Sequence, residues 1–172
     1  SCLVGSEMCI RDSPQVARDL ARPDEMRLYS MPSSGNSYKV RLLLALLGRD
    51  CEIVDVEYQT EALDQARAQG RLPFGKAPVL ELDDGRLLPE SNAILWWLGE
   101  GTRFVPADAF ARAEMASWMF WEQNQHEAVI AVRGALAYYP HRRALATPER
   151  MAELLERGHA LLQLSLIHIS EP

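Results

Sequence analysis

Cysteine is scarce in this sequence: three copies occur, at Cys2, Cys9 and Cys51, and no pair has C-x-x-C spacing. An odd number at irregular spacing defines no disulfide framework. Because disulfides are rare in reducing compartments, this usage favours a cytoplasmic location.

Basic blocks, long apolar runs and histidine clusters are also lacking. The net charge of -6 and the pI near 5.2 argue against a nucleic-acid partner, because no basic block stands out. The apolar run at 42–47 is too short to span a membrane. The histidines, at positions 126, 141, 159 and 168, show no ligand-like clustering, so no metal is predicted. The remaining composition, 48% hydrophobic and 24% charged, is typical of a globular protein.

Both ends of the chain look foreign to the rest. Residues 1–13 (SCLVGSEMCIRDS) lack any helical or strand period and the basic-then-apolar order of a secretory signal. They resemble strings made when sequencing adapters are translated in frame with a gene fragment, and residues 165–172 (SLIHISEP) resemble the matching string. We therefore expect 1–25 to be a non-native or disordered leader, 165–172 to be a non-native tail, and Met26 to be the natural start. The alternative is a genuine disordered tail at each end.

Residues 26–101 predict an α/β domain with the order β-α-β-α-β-β-α. The crossover helix between the first two strands implies a parallel pair, and the turn signal Asp84-Gly85 implies an antiparallel hairpin. The predicted strands are 27–31, 51–58, 79–82 and the strand after Gly85, and the predicted helices are 38–47, 61–69 and 92–98.

Residues 104–164 predict an all-helical second domain after a linker at 100–103. One helix is expected from about Asp108 to near Pro140, and another is expected to begin at Thr147-Pro148. Apolar residues at helical spacing are typical of a buried face. In the first helix these are Met115, Trp118, Met119, Val129, Val132 and Leu136.

Three segments carry a resemblance to a known family. They are SSGNSYKVRLLL at 33–44, FGKAPVL at 74–80 and PESNAIL at 89–95. In this order and spacing they resemble the glutathione-binding domain of the glutathione S-transferase superfamily, most closely its bacterial Ser-type and Nu-like branches. The resemblance implies a thioredoxin-like N-terminal domain with a cis proline at Pro78, an all-α C-terminal domain that is incomplete here, and a homodimer.

The resemblance also implies a binding site for glutathione, an extended tripeptide with two carboxylates, an amine and a thiol. The backbone of Ala77, beside cis Pro78, is expected to pair with its cysteinyl part as an edge strand does. Ser91 at a helix start is expected to hold the γ-glutamyl carboxylate, with Glu90 on the amine. Lys76 is expected to provide a counter-charge for the glycyl carboxylate. The simpler alternatives are that Pro78 only shapes the strand, Ser91 only caps its helix, and Lys76 is solvated.

The loop at 33–36 contains no cysteine, so the reactive thiol must come from the substrate. A hydrogen-bond donor at a helix N-terminus lowers a thiol pKa. The resemblance assigns this role to Ser34, six residues before Val40, and makes Asn36 a second donor. Ser33 is counted with the binding residues and is the neighbour most easily confused with Ser34. The alternative for all three is turn chemistry and helix capping.

The resulting expectation is a detoxifying transferase that conjugates glutathione to a small hydrophobic electrophile. Glutathione serves as a co-substrate, and no metal is expected. Alternatives are a glutathione-dependent disulfide reductase or peroxidase, and a non-catalytic interaction module. Tyr29 is interpreted as a core residue and Cys51 as buried and inert. Four residues of the first long helix are candidates to line the electrophile pocket: Trp121, His126, Arg133 and Tyr138.

Overall fold

The computed structural model describes residues 25–170. The predicted leader, apart from its last residue, lies outside the described residues, and so do the last two residues of the predicted tail. Within residues 25–170 no helix is both long and apolar enough to cross a bilayer. The chain divides into two compact units between Leu95 and Trp96, ahead of the predicted linker.

The first unit follows the predicted order of elements. Short-range signals explain several boundaries: Ser34 and Thr60 accept hydrogen bonds as helix N-caps, and Gly85 takes a positive φ of 82° in the hairpin turn. The elements are β1 (Met26–Ser30), α1 (Gly35–Leu46), β2 (Glu52–Asp55), α2 (Glu61–Ala68), β3 (Val79–Leu82), β4 (Leu87–Pro89) and α3 (Ser91–Gly99), the helix within which the two units divide.

The strands form a four-stranded mixed sheet in the order β2-β1-β3-β4. β1 runs parallel to β2, with Tyr29 opposite Val54, and antiparallel to β3, with Tyr29 opposite Val79. β3 and β4 form the predicted antiparallel hairpin. This order and pairing confirm the thioredoxin-like arrangement expected from the sequence.

One face of the sheet carries a core cluster and a buried polar network. Tyr29 packs with Val79 and with residues of α2, as predicted for a core residue. Its hydroxyl donates to the Glu81 carboxylate at 2.9 Å, and Arg71 Nη1 lies 2.6 Å from the same carboxylate. Burial, and then the bond with Glu81, raise the pKa of Tyr29. Glu81, 9% exposed, is thus paired rather than left as an isolated buried charge.

The second unit is helical. Asp108 caps the first helix by accepting from the Ala111 N–H at 2.8 Å, and Thr147 accepts from Arg150 N–H at the start of the last. Its elements are α4 (Ala109–Trp121), a π-helical segment (Glu122–Ala131), α5 (Val132–Tyr138), a 3₁₀ turn (Pro140–Leu145) and α6 (Pro148–Ser170). Helix α6 continues through most of the predicted tail, 165–170.

The predicted buried stripe forms only in its second half. Val129 and Leu136 are buried and pack with Leu154 of α6. The expectation for Met115, Trp118 and Met119 is wrong, because no residue of α4 is buried and Trp118 is 39% exposed. The physical reason is that α6 packs against the π-helical segment and α5, whose apolar residues it covers.

Candidate functional site

Several loops meet at one end of the sheet. Val79 lies opposite both Tyr29 of β1 and Pro89 of β4. The loop that follows β1, the residues that precede β3 and the residues that follow β4 therefore share that end. This brings together the segments 31–34, 77–78 and 90–91, which hold most of the residues predicted to bind glutathione or activate its thiol.

A hydrogen bond joins two helix starts at this end. The Ser91 hydroxyl donates to Asn36 Oδ1 at 3.2 Å, although the two residues are 55 positions apart. Asn36 is in the first turn of α1 and Ser91 is the first residue of α3. Ser91 is only 3% exposed. Because helix N-termini present free N–H groups and a positive dipole end, their convergence favours an anion.

Ser34 lies at the N-cap of α1 and is half-buried. Its side chain accepts from the Ser37 N–H at 3.4 Å, so the capping alternative is present in the structure. A hydroxyl has lone pairs to accept with and one proton to donate. Capping uses a lone pair and leaves the proton of Ser34 for another acceptor.

With Ser34 as its N-cap, helix α1 begins at Gly35, earlier than the predicted start at residue 38.

The other predicted binding residues flank this junction. The Ala77-Pro78 peptide bond is cis, as expected. Pro78 is buried, Ala77 is half-buried and Lys76 is exposed. Glu90 is exposed and has a positive φ of 72°, a conformation that residues other than glycine adopt rarely and that concentrates at ligand sites.

Ser33 is engaged by a residue that the sequence did not single out. Its N–H donates to Glu57 Oε2 at 3.0 Å, and its hydroxyl donates to Glu57 Oε1 at 2.8 Å. The Tyr58 N–H donates to the same Oε1 at 2.7 Å. Partial burial alone would raise the pKa of Glu57, but these hydrogen bonds outweigh it and lower the pKa.

A second residue missed from the sequence is Arg67 of α2. Its Nε and Nη2 atoms donate to the Gly75 carbonyl at 3.1 and 3.0 Å, and Gly75 has a φ of 68°. This bond ties the loop before Ala77 to α2. An arginine on an exposed helix surface carries no sequence signal for such a role. Glu57 carries a weak one, because it is a charged residue near the end of the predicted β-branched strand.

The four electrophile-pocket candidates do not form one cluster. The rings of Trp121 and His126 are 4.5 Å apart, and the Nε2 atom of His126 is buried with no hydrogen-bond partner among the described residues. Arg133 instead donates to the Met151 carbonyl at 3.3 Å. Tyr138 is 69% exposed and stacks edge-on with Tyr139. Their role in a pocket stays a prediction.

Cys51 is half-buried rather than fully buried. Burial, and then the nearby Glu52 carboxylate, raise the pKa of Cys51 to about 11. In the part of the chain that the structure describes, no group of three or more His, Cys, Asp or Glu residues could hold a metal ion.

We expect Cys51 to react slowly with iodoacetamide at pH 8. A pKa raised by about two units lowers the thiolate fraction about 100-fold, and the greater nucleophilicity of a more basic thiolate returns about tenfold of that. The net expectation is alkylation about tenfold slower than for an unfolded peptide spanning Cys51, rising with pH toward 11. Peptide-resolved mass spectrometry measures both rates. Equal rates at pH 8 would contradict the assigned environment.

Comparison with known proteins identifies the class. A mixed four-stranded sheet with flanking helices, followed by an all-helical unit, is the architecture of a two-domain thioredoxin-like protein. The family model described as "Glutathione S-transferase, N-terminal domain" matches residues 28–102. The crystal structure of a glutathione S-transferase from Xanthobacter autotrophicus Py2 is 38% identical with a TM-score of 0.72, covering 84% of this chain and 70% of that one. The chain belongs to the glutathione S-transferase superfamily.

Curated relatives match over shorter stretches. Glutathione S-transferase 3 of Zea mays is 37% identical over 104 residues, 58% of this chain and 46% of that protein. A maleylacetoacetate isomerase of Pseudomonas aeruginosa is 36% identical over 77 residues, 44% of this chain and 36% of that protein. The chain thus spans less than half the length of these curated relatives.

Proposed function

We propose that this protein is a glutathione transferase that conjugates the glutathione thiolate to a small hydrophobic electrophile. The observation that carries the proposal is the 3.2 Å contact between Ser91 and Asn36, which joins the start of α1, beside Ser34, to the start of α3. An anionic ligand end and a thiolate each have a helix N-terminus available there.

Ser34 is proposed to donate its free hydroxyl proton to the glutathione thiolate. Asn36 is proposed to assist, because its carboxamide N–H groups are hydrogen-bond donors in the first turn of α1. A hydrogen bond to a charged group is worth about 1.5–3 kcal/mol, or about one to two pKa units. The thiolate then attacks an electrophilic carbon, forms a C–S bond and expels the leaving group.

Ser91 and the start of α3 are proposed to hold the γ-glutamyl carboxylate. To donate to it, the Ser91 hydroxyl must turn away from Asn36 and lose a neutral hydrogen bond worth about 1 kcal/mol. The bond gained, to a carboxylate, is worth about 1.5–3 kcal/mol, so the exchange is favourable. Glu90 is proposed to take the amine, Lys76 the glycyl carboxylate and Ala77 the cysteinyl backbone.

The remaining assignments rest on family membership. We propose a cytoplasmic homodimer with a glutathione-binding domain at 26–101 and a helical domain at 104–164. Ser33 is proposed to reach the ligand only through its neighbours. Trp121 and His126, whose rings are in contact, are the better-supported candidates for the electrophile pocket.

A second candidate function is a glutathione-dependent isomerase. The observation in its favour is the likeness to a maleylacetoacetate isomerase, 36% identical over 77 residues. In that reaction the thiolate would add to a carbon–carbon double bond and leave again after rotation. The same thiolate chemistry therefore serves, with glutathione returned unchanged.

Retention on immobilised glutathione, followed by glutathione counting, tests these functions. We expect the chain to be retained and to be eluted by free glutathione. With a chlorinated aromatic, a transferase consumes one glutathione and releases one chloride per turnover. An isomerase consumes none, and reduction of a small disulfide oxidises two. Retention without turnover of any substrate would favour the non-catalytic module, and no retention would contradict every glutathione-dependent function.

A further inference from the structure

We propose that Glu57 is a positioning residue that sets the loop presenting Ser34 to the glutathione thiol. This role rests on the proposed function of Ser34. It assigns to the segment that follows β2 a part in thiol activation, through hydrogen bonds that join Glu57 to Ser33 rather than to Ser34.

Both carboxylate oxygens of Glu57 accept hydrogen bonds from Ser33. Its Oε2 accepts from the Ser33 N–H at 3.0 Å, and its Oε1 accepts from the Ser33 hydroxyl at 2.8 Å. Ser33 directly precedes the α1 cap. Fixing both its backbone and its side chain restricts the peptide plane that leads into Ser34.

The position of Glu57 is itself fixed by hydrogen bonds of its two neighbours in the chain. The Val56 N–H donates to the Ser30 carbonyl at 2.8 Å, which continues the parallel pairing of β1 and β2 as far as Val56, the residue before Glu57. The Tyr58 N–H donates to Glu57 Oε1 at 2.7 Å and orients the carboxylate. The sheet therefore fixes the backbone next to Glu57, and the Glu57 carboxylate in turn holds Ser33 of the loop.

The far side of the loop is anchored to α1. The Met31 N–H donates to the Ser37 hydroxyl at 2.9 Å, and the Ser34 N–H donates to the Met31 carbonyl at 3.0 Å. The loop between Met31 and Gly35 is thus held on one side by α1 and on the other by Glu57. Without Glu57, Ser33 loses two hydrogen bonds, and the Ser34 hydroxyl samples more directions.

The contact of Glu57 with Ser33 is exposed to solvent, which separates positioning from stability. Water replaces the lost bonds at an exposed site, so folding should change little. Catalysis is more demanding, because a donor displaced by a fraction of an ångström loses much of its bond to the thiolate. The expected signature is a higher thiol pKa with unchanged binding of the rest of glutathione.

The test compares Glu57→Ala with Glu57→Gln and with Glu61→Ala as control in the full chain. Glu61 is exposed four residues along the chain, and its carboxylate accepts a local bond from Gln65 at 2.7 Å. We expect Glu57→Ala to raise the pKa of bound glutathione by about one unit and to lower kcat about tenfold at pH 6.5. Affinity for S-methylglutathione, which has no free thiol, should change less than about twofold.

The amide variant sharpens the comparison. The Ser33 and Tyr58 N–H groups donate to different oxygens of Glu57, and glutamine replaces one of these oxygens with an NH2 group that cannot accept, so one of the two N–H groups loses its partner. Glu57→Gln should therefore fall between the unsubstituted chain and Glu57→Ala in thiol pKa. Hydrogen exchange at the Ser33 amide should be faster in both variants and unchanged in Glu61→Ala.

The outcomes are distinguishable. An unchanged thiol pKa in Glu57→Ala, with a normal thiolate in the unsubstituted chain, would overturn this role alone. A tenfold loss of S-methylglutathione affinity would also overturn it, because Glu57 would then support binding in general. Absence of a thiolate in the unsubstituted chain would instead remove the proposed function, and this role with it. If Glu57→Ala fails to fold, Glu57→Gln supplies the decisive pKa.

Discussion

Replacement of Ser34 by alanine is expected to lower kcat/KM for a glutathione conjugation about 10- to 100-fold at pH 6.5. The hydroxyl proton is the proposed donor to the thiolate, and loss of one charged hydrogen bond raises the thiol pKa by about one to two units. Below the original pKa, the thiolate fraction falls by the same factor. The loss should shrink as the pH rises from the original pKa to the raised one, because the thiol then ionises without help.

The capping role of Ser34 must be separated from this effect. Its side chain accepts from the Ser37 N–H, so alanine also costs about 1 kcal/mol of helix stability. Glycine is nearly as good an N-cap as serine but has no proton to donate. Ser34→Gly should therefore keep the stability and lose the activity, and Ser34→Thr should retain both. A thiol pKa that is the same in Ser34→Ala and in the unsubstituted chain would remove Ser34 from catalysis.

Replacement of Ser91 by alanine is expected to weaken binding of S-methylglutathione about 2- to 30-fold, measured by calorimetry. The variant loses a hydrogen bond to the γ-glutamyl carboxylate worth about 1.5–3 kcal/mol, but it no longer gives up the bond to Asn36, worth about 1 kcal/mol, when the ligand binds. Because Ser91 is 3% exposed, water does not readily replace the missing hydroxyl. The thiol pKa of glutathione that still binds should change less than in Ser34→Ala.

A serine of the second unit supplies the matched control. Ser117 is exposed on α4 and donates to the Ala113 carbonyl of its own helix at 3.0 Å, so Ser117→Ala should leave binding unchanged. Asn36→Ala and the double variant then measure coupling across the Ser91–Asn36 bond. Unchanged affinity in Ser91→Ala would mean that the carboxylate binds elsewhere.

Local chemistry was sufficient to predict the order of elements in the first unit. Caps at Thr60 and Asp108 and the Asp84-Gly85 turn act within three or four residues, so they can be read from the sequence. The start of α1 was placed late because Asn36 and Ser37 are also turn formers. In the structure they extend the helix back to the Ser34 cap.

The site contacts themselves could not be predicted. Ser33 and Glu57 are 24 positions apart, and Asn36 and Ser91 are 55 apart. These pairs meet because the register of the strands brings the loops to one end of the sheet, and no local pattern encodes that register. The burial of α4 was overestimated for a similar reason, since helical spacing shows which residues share a face and not whether another element covers it.

The π-helical segment at 122–131 decides which side chains meet in the second unit. Trp121 and His126 are five positions apart, and in an α-helix that separation places two side chains about 140° apart around the axis. A π-helix bonds residue i to i+5 and so brings such a pair onto one side, where these rings lie 4.5 Å apart. The pairing is thus a matter of winding: five positions apart, the two rings share one side only while this segment keeps its π-helical winding.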